Sequence, residues 1–182
     1  MKSSSLVIRE LEGILPIYFT YKYINELSLY VAQKYIVLVA TILKLHSTYQ
    51  YKLLSCVSGI DLFNKQYRFC VAYDFLSILY NNRIRVKSLI ESSTTAFSLT
   101  KIFCNADWWE REAWDMYGIF FFGHDDMRRI LTDYGFEGYP LRKDFPLSGF
   151  VEVRYSEKKK KIVMEKVALA QEFRSFSFKM PW

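Results

Sequence analysis

The chain has 182 residues, of which 51% are hydrophobic and 24% are charged, and its net charge is +6 at pH 7. This composition supports a buried core and excludes an intrinsically disordered chain. The positive charge permits a nucleic acid, an anionic lipid or an acidic protein surface as partner, and it does not choose among them.

The sequence predicts no membrane-spanning segment. Its longest apolar run, Tyr35 to Leu43, is much shorter than the ~20 residues that a helix needs to cross a bilayer. The amino terminus contains Glu10 and Glu12, so it has neither the apolar core of a secretory signal nor the acid-poor composition of a transit peptide. We therefore expect no import signal.

Helix and strand signals alternate in the first part of the chain. Ser3 to Gly13 has the pattern of a short helix with a serine cap. Leu27 to Val31 alternates apolar residues with polar or small ones, which predicts a strand. Ile36 to Leu45 is apolar on nearly every side and predicts a helix packed on a sheet. Its β-branched residues keep a buried strand as the alternative.

The next part of the chain predicts strands. Leu53 to Ile60 is apolar and suits a central strand. In Tyr67 to Asp74 the odd-numbered residues would face the core and the even-numbered ones the other side. The pair Asn81-Asn82 predicts a tight turn, and Arg83 to Lys87 predicts a strand with one basic face. Together these signals predict an α+β fold, a small antiparallel sheet of three or four strands with helices on one face.

Two helices should follow the sheet. Ser98 to Cys104 is expected to begin one of them. Asp107, with Glu110 three residues later, matches the capping box that opens a helix, and Gly118 should end that helix. Its apolar face is formed at helical spacing by Trp109, Ala113, Met116 and Tyr117.

Glycine and proline beyond Gly118 block long regular elements. Val151 to Tyr155 and Ile162 to Met164 alternate in polarity on either side of a lysine-rich turn, which predicts a hairpin. We divide the chain into an α+β domain over residues 1–118 and an extended, loop-rich C-terminal segment over residues 119–182.

No catalytic, cofactor-binding or metal-ligating residue is predicted. Cys56, Cys70 and Cys104 lie far apart, with no C-x-x-C pair. His46 and His124 are the only histidines, and neither has a nucleophile in a recognised setting. No glycine-rich loop of a phosphate or dinucleotide site is present.

The acidic residues of the Asp107 helix and the turn after it have two interpretations. They have the chemistry to bind a divalent cation, but nearby arginines favour ion pairs. Similarly, His124 is either a proton-handling group or, the interpretation we prefer, a hydrogen-bonding partner that stabilises a turn. The acidic set is Glu110, Glu112, Asp115, Asp125 and Asp126.

Aromatic and charged residues are unusually dense from Asp107 to Pro146. One interpretation is a surface whose charges satisfy one another. The other is a segment laid against another protein, where aromatic and arginine side chains supply most of the binding energy.

The same stretch carries a family resemblance. Glu110-Arg111-Glu112, Asp115-Met116-Tyr117, His124 and Arg128, at their spacing here, resemble the signature of the 30-kDa (NuoC-like) subunit family of respiratory complex I. Residues 131–138, 140–147 and 171–176 are similar to later segments of that family, the last of them to its mitochondrial members. Two positions depart from the family pattern: Asp125 replaces a usual proline and Tyr139 a usual histidine.

The resemblance implies a non-catalytic structural and assembly subunit in the peripheral arm of NADH:ubiquinone oxidoreductase. The chain itself would bind no cofactor, because FMN and the iron–sulfur clusters belong to partner subunits. Its partners would be chiefly the hydrogenase-like large subunit and the cluster-bearing subunits of the quinone module. Its location would be the matrix side of the mitochondrial inner membrane, and the richness in Phe, Tyr, Ile and Lys suits an organellar gene.

Site residues follow from the resemblance in two groups. The signature residues, expected to be structural, are Glu110, Arg111, Glu112, Asp115, His124 and Arg128. The residues expected to contact other subunits are Trp108, Arg129, Arg142, Lys143, Asp144, Phe145, Arg174, Phe176 and Trp182. The alternative function is a free-standing basic organellar module that binds a protein, RNA or the ribosome, although the RNA-binding sheet motif is absent.

Overall fold

The computed structural model describes residues 11–24, 26–171, 173, 174 and 176. The predicted helix over Ser3 to Gly13 lies mostly outside these residues. The strands are β1 (Ile17–Tyr23), β2 (Glu26–Val31), β3 (Leu53–Asp61), β4 (Phe69–Ser77), β5 (Asn82–Ile90), β6 (Ala96–Phe97), β7 (Phe121–Phe122), β8 (Val151–Ser156) and β9 (Lys161–Lys166). Residues 11–14, the described end of that predicted helix, are helical. The other helices are α1 (Ile36–Leu45), preceded by a 3₁₀ turn at Gln33–Tyr35, and α2 (Ala106–Tyr117).

The main sheet has five strands in the order β1-β2-β5-β4-β3. The predicted α+β class is confirmed, but the expectation of three or four antiparallel strands is wrong, since β2 and β5 pair in parallel. The reason is topological. The connection through α1 carries the chain from β2 to the far edge, and two hairpin steps bring it back, which leaves β5 beside β2 in the same direction.

A single hydrophobic core lies on one face of this sheet. Residues of α1 spaced by three and four, such as Val39, Ala40 and Leu43, are buried in it together with Tyr73 and Val86 of the sheet. This spacing confirms the predicted helix at Ile36 to Leu45 and shows that the strand alternative was wrong. Buried residues of α2 belong to the same core, so the helices lie on one face as predicted.

Strand β3 lies at an edge of the sheet, so its predicted central position was wrong. Helix α2 packs on its inward face. There the Tyr117 ring crosses Gly59 so closely that a Cβ at Gly59 would lie 2.5 Å from a ring carbon. Tyr67, predicted to face the core, is exposed and precedes β4. Asn81 adopts a positive φ of 46°, which confirms the predicted turn between β4 and β5.

Two local predictions before and within α2 were wrong. Ser98 to Cys104 forms turns rather than a helix, because buried Leu99 accepts backbone hydrogen bonds without a continuing helical ladder. The helix begins at Ala106 after Asn105, and no side chain caps its first N–H groups. Asp107 is in the first turn, where its charge favours the helix dipole. The predicted end at Gly118 is confirmed, with left-handed backbone at φ 74°.

The chain forms two compact units, Met1–Lys143 and Asp144–Trp182. Residues 119–143 therefore belong to the first unit. In the second unit, β8 and β9 form the predicted hairpin, closed by a turn at residues 157–160. An Arg154–Glu165 ion pair of 2.6 Å joins the two strands. Phe145 and Phe150 pack edge to face at 5.3 Å.

Replacing Gly118 with alanine should destabilise the first unit. The left-handed φ of 74° disfavours a side chain, and the new methyl group would meet Arg142 and lie 2.7 Å from the Tyr139 ring. We expect a loss of about 2–3 kcal/mol in the free energy of unfolding, measured by urea denaturation. Gly13→Ala is the control, because an added Cβ there meets no atom within 4 Å. Equal stability of the two variants would contradict this account.

Candidate functional site

A buried carboxylate on α2 holds the segment that follows the helix. Asp115 is fully buried, and its Oδ2 accepts hydrogen bonds from the backbone N–H groups of Ile130 (3.3 Å), Leu131 (2.8 Å) and Thr132 (2.9 Å). Its Oδ1 accepts the Thr132 hydroxyl at 2.7 Å and faces the Arg129 guanidinium at 3.3 Å. We call this group, Asp115 with residues 129–132, the Asp115 clamp. It attaches a loop without regular structure to the helix.

The donors of the Asp115 clamp determine the ionisation of the carboxyl group. Burial raises the pKa of Asp115, but the Thr132 hydroxyl and three backbone N–H groups outweigh burial and hold the pKa below its ordinary value. The carboxyl group is therefore ionised at neutral pH, and each donor stabilises the charge.

Two arginines and a tyrosine extend the clamp toward the helix end. The Tyr139 ring lies 5.1 Å from the Arg129 guanidinium carbon and 4.3 Å from that of Arg142. Arg129 also donates to the Gly138 carbonyl at 2.9 Å, and Arg142 to the Tyr117 carbonyl at 2.6 Å. The neutral aromatic face of Tyr139 attracts both cations.

A second buried carboxylate, Glu110, lies five residues before Asp115 on α2. Its Oε1 accepts the Leu99 N–H at 2.7 Å, while Oε2 is buried without a partner in the described part of the chain. Burial raises the pKa of Glu110 to about 7, against the opposing effects of the Leu99 N–H, the Ser98 hydroxyl and His124. Glu110 therefore binds its proton far more tightly than an exposed glutamate.

The buried imidazole of His124 joins the start of α2 to the turn after β7. Its Nε2 lies 3.0 Å from the Asp107 carboxylate, and its Nδ1 accepts the Asp126 N–H at 3.1 Å. Because Nδ1 accepts a hydrogen bond, the proton of a neutral ring is on Nε2 and points at Asp107. This arrangement stabilises a turn, as the preferred interpretation expected.

Arg111 and Arg128 have different environments. Arg111 is buried, donates to the Arg128 carbonyl at 3.0 Å and stacks with the exposed Trp108 ring at 5.5 Å. The Arg128 side chain is exposed and pairs with Asp126 at 2.9 Å. Arg111 and Asp115, which stand one helical turn apart with opposite charges, thus bind different partners.

The structure brings together only some of the residues singled out from the sequence. Glu110, Arg111, Asp115, His124 and Arg129 are joined to neighbours in one connected region of the first unit. Half-buried Glu112 forms no hydrogen bond or ion pair with any described residue and lines a groove beside β3. Lys143 is exposed in the first unit, and Asp144, Phe145, Arg174 and Phe176 belong to the second. Trp182 lies outside the described residues.

Sequence reasoning did not assign roles to Thr132 and Tyr139. Thr132 reaches Asp115 from 17 positions away, and Tyr139 lies between two arginines that are themselves 13 positions apart in sequence. No local pattern marks either contact. The departure of Tyr139 from the family pattern was the only available signal.

Comparison with known proteins identifies the class to which this fold and site belong. The sequence profile of the respiratory-chain NADH dehydrogenase 30-kDa subunit matches residues 29–151. The chain belongs to this family, as the resemblance predicted.

Three relatives agree with this membership, and one solved structure shares the fold. NADH-ubiquinone oxidoreductase subunit 9 of Reclinomonas americana is 49% identical over 87% of this chain and 78% of its own length. The protein of the same name from Prototheca wickerhamii is 48% identical over 87% of this chain and 82% of its own length. NADH dehydrogenase [ubiquinone] iron-sulfur protein 3 of Solanum tuberosum is 51% identical over 77% and 74%. A chain of the membrane-bound sulfane sulfur reductase, an archaeal respiratory membrane complex, shares the fold with a TM-score of 0.69 at 22% identity, over 99% of both chains.

Asp115→Asn should loosen the segment that the clamp holds. The amide keeps one acceptor oxygen but turns an NH₂ group toward N–H donors and removes the charge that faces Arg129. We expect a loss of about 3 kcal/mol in the free energy of unfolding. Amide hydrogen exchange at Ile130, Leu131 and Thr132 should also accelerate. The control is exposed Asp133→Asn, for which we expect a change within about 0.5 kcal/mol; similar effects of both changes would contradict the clamp.

Stability should fall as the pH rises through the range in which Glu110 loses its proton. The folded pKa of about 7 lies above the ordinary value of 4.5, so the folded state binds more protons between these values and loses that advantage as the pH increases. Glu110→Gln should remove this dependence, worth about 3 kcal/mol between pH 4.5 and pH 7. Urea denaturation at pH 5 and pH 8 measures it, with exposed Glu137→Gln as control. If the stability of Glu110→Gln depended on pH as that of the unsubstituted protein does, the raised pKa of Glu110 would be refuted.

Proposed function

We propose that this chain is a non-catalytic structural subunit in the peripheral arm of NADH:ubiquinone oxidoreductase, where it supports electron transfer from NADH to ubiquinone by holding partner subunits. Membership of the 30-kDa family supports the place in the complex. The alternative, a free-standing RNA- or ribosome-binding module, receives no support from the comparisons and is not proposed.

The observation that carries the structural role is the hydrogen bonding of the buried polar groups. Asp115 is surrounded by donors from its own chain, and His124 is held between Asp107 and Asp126. Both side chains use their hydrogen bonds to join backbone segments of the same chain. Exposed aromatic side chains lie beside them, above all Trp108, which is 66% exposed. Such side chains suit contact with another protein.

The cysteines support the proposal that the iron–sulfur clusters are bound by partner subunits. An iron–sulfur cluster is usually held by four cysteine thiolates, and this chain has three cysteines without a C-x-x-C pair. Cys70 is buried, and burial raises its pKa to about 11, which disfavours the thiolate that a metal requires. The residues therefore do not fit a cluster, although one relative bears the name iron-sulfur protein 3.

The proposed partners are the hydrogenase-like large subunit and the cluster-bearing subunits of the quinone module, on the matrix side of the mitochondrial inner membrane. Within residues 11–171, apart from Asn25, no helix is long and apolar enough to span a bilayer. Attachment through protein partners is consistent with that finding. Two basic residues end the first unit. Arg142 is expected to fix the loop, and Lys143 is expected to contact a partner.

Trp108→Ala should reduce assembly of the complex without reducing the activity of what assembles. Most of the ring is exposed, so its loss removes little from the isolated fold but removes a predicted anchor. We expect a several-fold lower yield of assembled complex on a native gel, with NADH:ubiquinone activity per assembled complex unchanged. Leu79→Ala, an apolar side chain exposed to 68%, is the matched control. Loss of activity in fully assembled enzyme would instead indicate a catalytic role.

A further inference from the structure

Strands β8 and β9 of the second unit form a ribbon with two different faces. Their register pairs Val153 with Met164 and Tyr155 with Ile162. Residues paired across an antiparallel ladder share a face, and successive residues of a strand alternate between faces. Val151 therefore lies on the same face as these four side chains. We call these five residues the apolar face of the ribbon.

The opposite face of the ribbon is mainly polar. Glu152, Arg154 and Glu165 lie on it, and Val163 is its one apolar member. The Arg154–Glu165 ion pair joins the two strands on this side. Such alternation of apolar and polar residues is typical of strands that have one face in water and the other packed on an apolar surface.

The described residues leave the apolar face open to solvent. Its five side chains are between 53% exposed, at Tyr155, and 69% exposed, at Ile162. A ribbon of two strands is only marginally stable in water without a further strand or a surface against its apolar side. A contiguous exposed apolar patch also marks a site of interaction. The ribbon therefore has the composition of a packed strand pair but not the surface on which to pack.

The tip of the ribbon is strongly basic. Lys158, Lys159, Lys160 and Lys161 follow one another there, beside a single carboxylate, Glu157. Glu157 pairs with Lys160 at 3.0 Å, whereas the other three lysines form no ion pair with any described residue. A complementary surface is therefore apolar along the ribbon and acidic where the tip reaches it.

We infer that the apolar face of the ribbon docks on an apolar surface of a partner subunit, whose acidic residues pair with the lysines of the tip. Burial of the apolar side chains would supply most of the binding energy, and the charges at one end would fix the direction of the ribbon. The inference rests on the proposed function and names a surface of the second unit by which the subunit holds a partner.

Two other occupants fit the ribbon less well. A second copy of this chain would bring the same basic tip and the same net charge of +6, and like charges repel. An anionic bilayer would attract the tip, but a two-stranded ribbon has two open edges, whose backbone groups would find no partner in lipid. A protein surface leaves these edges in water or supplies hydrogen bonds to them.

Hydroxyl-radical footprinting of the isolated full-length chain and of the assembled complex tests the covered face. Tyr155 and Met164, two readily oxidised side chains of the apolar face, should react several-fold more slowly in the complex. The fully buried Tyr73 provides the reference for a folded chain in both samples. Equal oxidation of Tyr155 and Met164 in both samples overturns the inference and leaves the proposed function standing. Absence of the chain from the complex overturns both.

A pair of nearly isosteric substitutions tests the apolar contact. Val153→Thr combined with Ile162→Thr keeps the β-branched side chains that favour a strand but makes the apolar face more polar. We expect a several-fold lower yield of assembled complex on a native gel. Val163→Thr, the same change on the opposite face, is the matched control and should assemble normally. Normal assembly of the double variant overturns the inference. If the double variant loses its hairpin, footprinting of the unsubstituted protein decides.

Charge reversal at the tip tests the acidic partner. Lys158→Glu combined with Lys159→Glu should also lower the yield of assembled complex several-fold. The matched control is Lys52→Glu combined with Lys65→Glu, because these exposed lysines of the first unit likewise form no ion pair with a described residue. Normal assembly of the tip variant overturns the acidic partner surface. Binding of the unsubstituted chain to phosphatidylglycerol vesicles, lost in the tip variant, would overturn the protein partner in favour of a lipid surface.

Discussion

The conformation of the segment after α2 depends on one buried carboxylate. Burying an unpaired charge is strongly unfavourable, so Asp115 is tolerated only because backbone and side-chain donors surround it. In return, consecutive N–H groups of residues 130–132, which have no strand or helix partner, converge on one oxygen. The loop can therefore have a single conformation without regular secondary structure. Arg129 and Arg142 reinforce it by bonding to carbonyl groups of the same region.

The two buried carboxylates of α2 differ in ionisation because hydrogen-bond donors outweigh burial at one of them, while burial outweighs the donors at the other. Asp115 receives the Thr132 hydroxyl and three backbone N–H groups, and its pKa is lowered. Glu110 receives the Leu99 N–H, its Oε2 has no hydrogen-bond partner among the described residues, and burial raises its pKa to about 7. The helix thus carries a permanent charge beside a group that changes charge near neutral pH. A protonated Glu110 suits an apolar core, so its high pKa needs no catalytic explanation.

Features with a local period were predictable from the sequence. Helix α1 follows from apolar spacing, the end of α2 from Gly118, and the β8–β9 hairpin from alternation around a lysine-rich turn. Strand β1 escaped prediction because most of its residues are exposed on both faces, which leaves no alternation to detect.

Contacts between distant residues were not predictable. The capping box failed because Glu110 bonds to Leu99, 11 positions earlier, instead of to its own helix start. The Asp115–Thr132 bond spans 17 positions, and the parallel β2–β5 pair depends on the path of the whole chain. The charged residues of α2 and the following loop could be singled out from the sequence by their types and spacing. Their hydrogen-bond partners could not, because the fold determines them.

A subunit that binds no cofactor can still influence electron transfer if it determines the positions of subunits that do. That role requires stiffness in the contacting segment, because a flexible loop would lose conformational entropy on binding and would hold its partner loosely. The Asp115 clamp and the Arg129–Tyr139–Arg142 stack order residues 129–142 before any partner binds. The charges of Asp115, Arg129 and Arg142 therefore act within the chain, and the exposed Trp108 ring is available for contact with another protein.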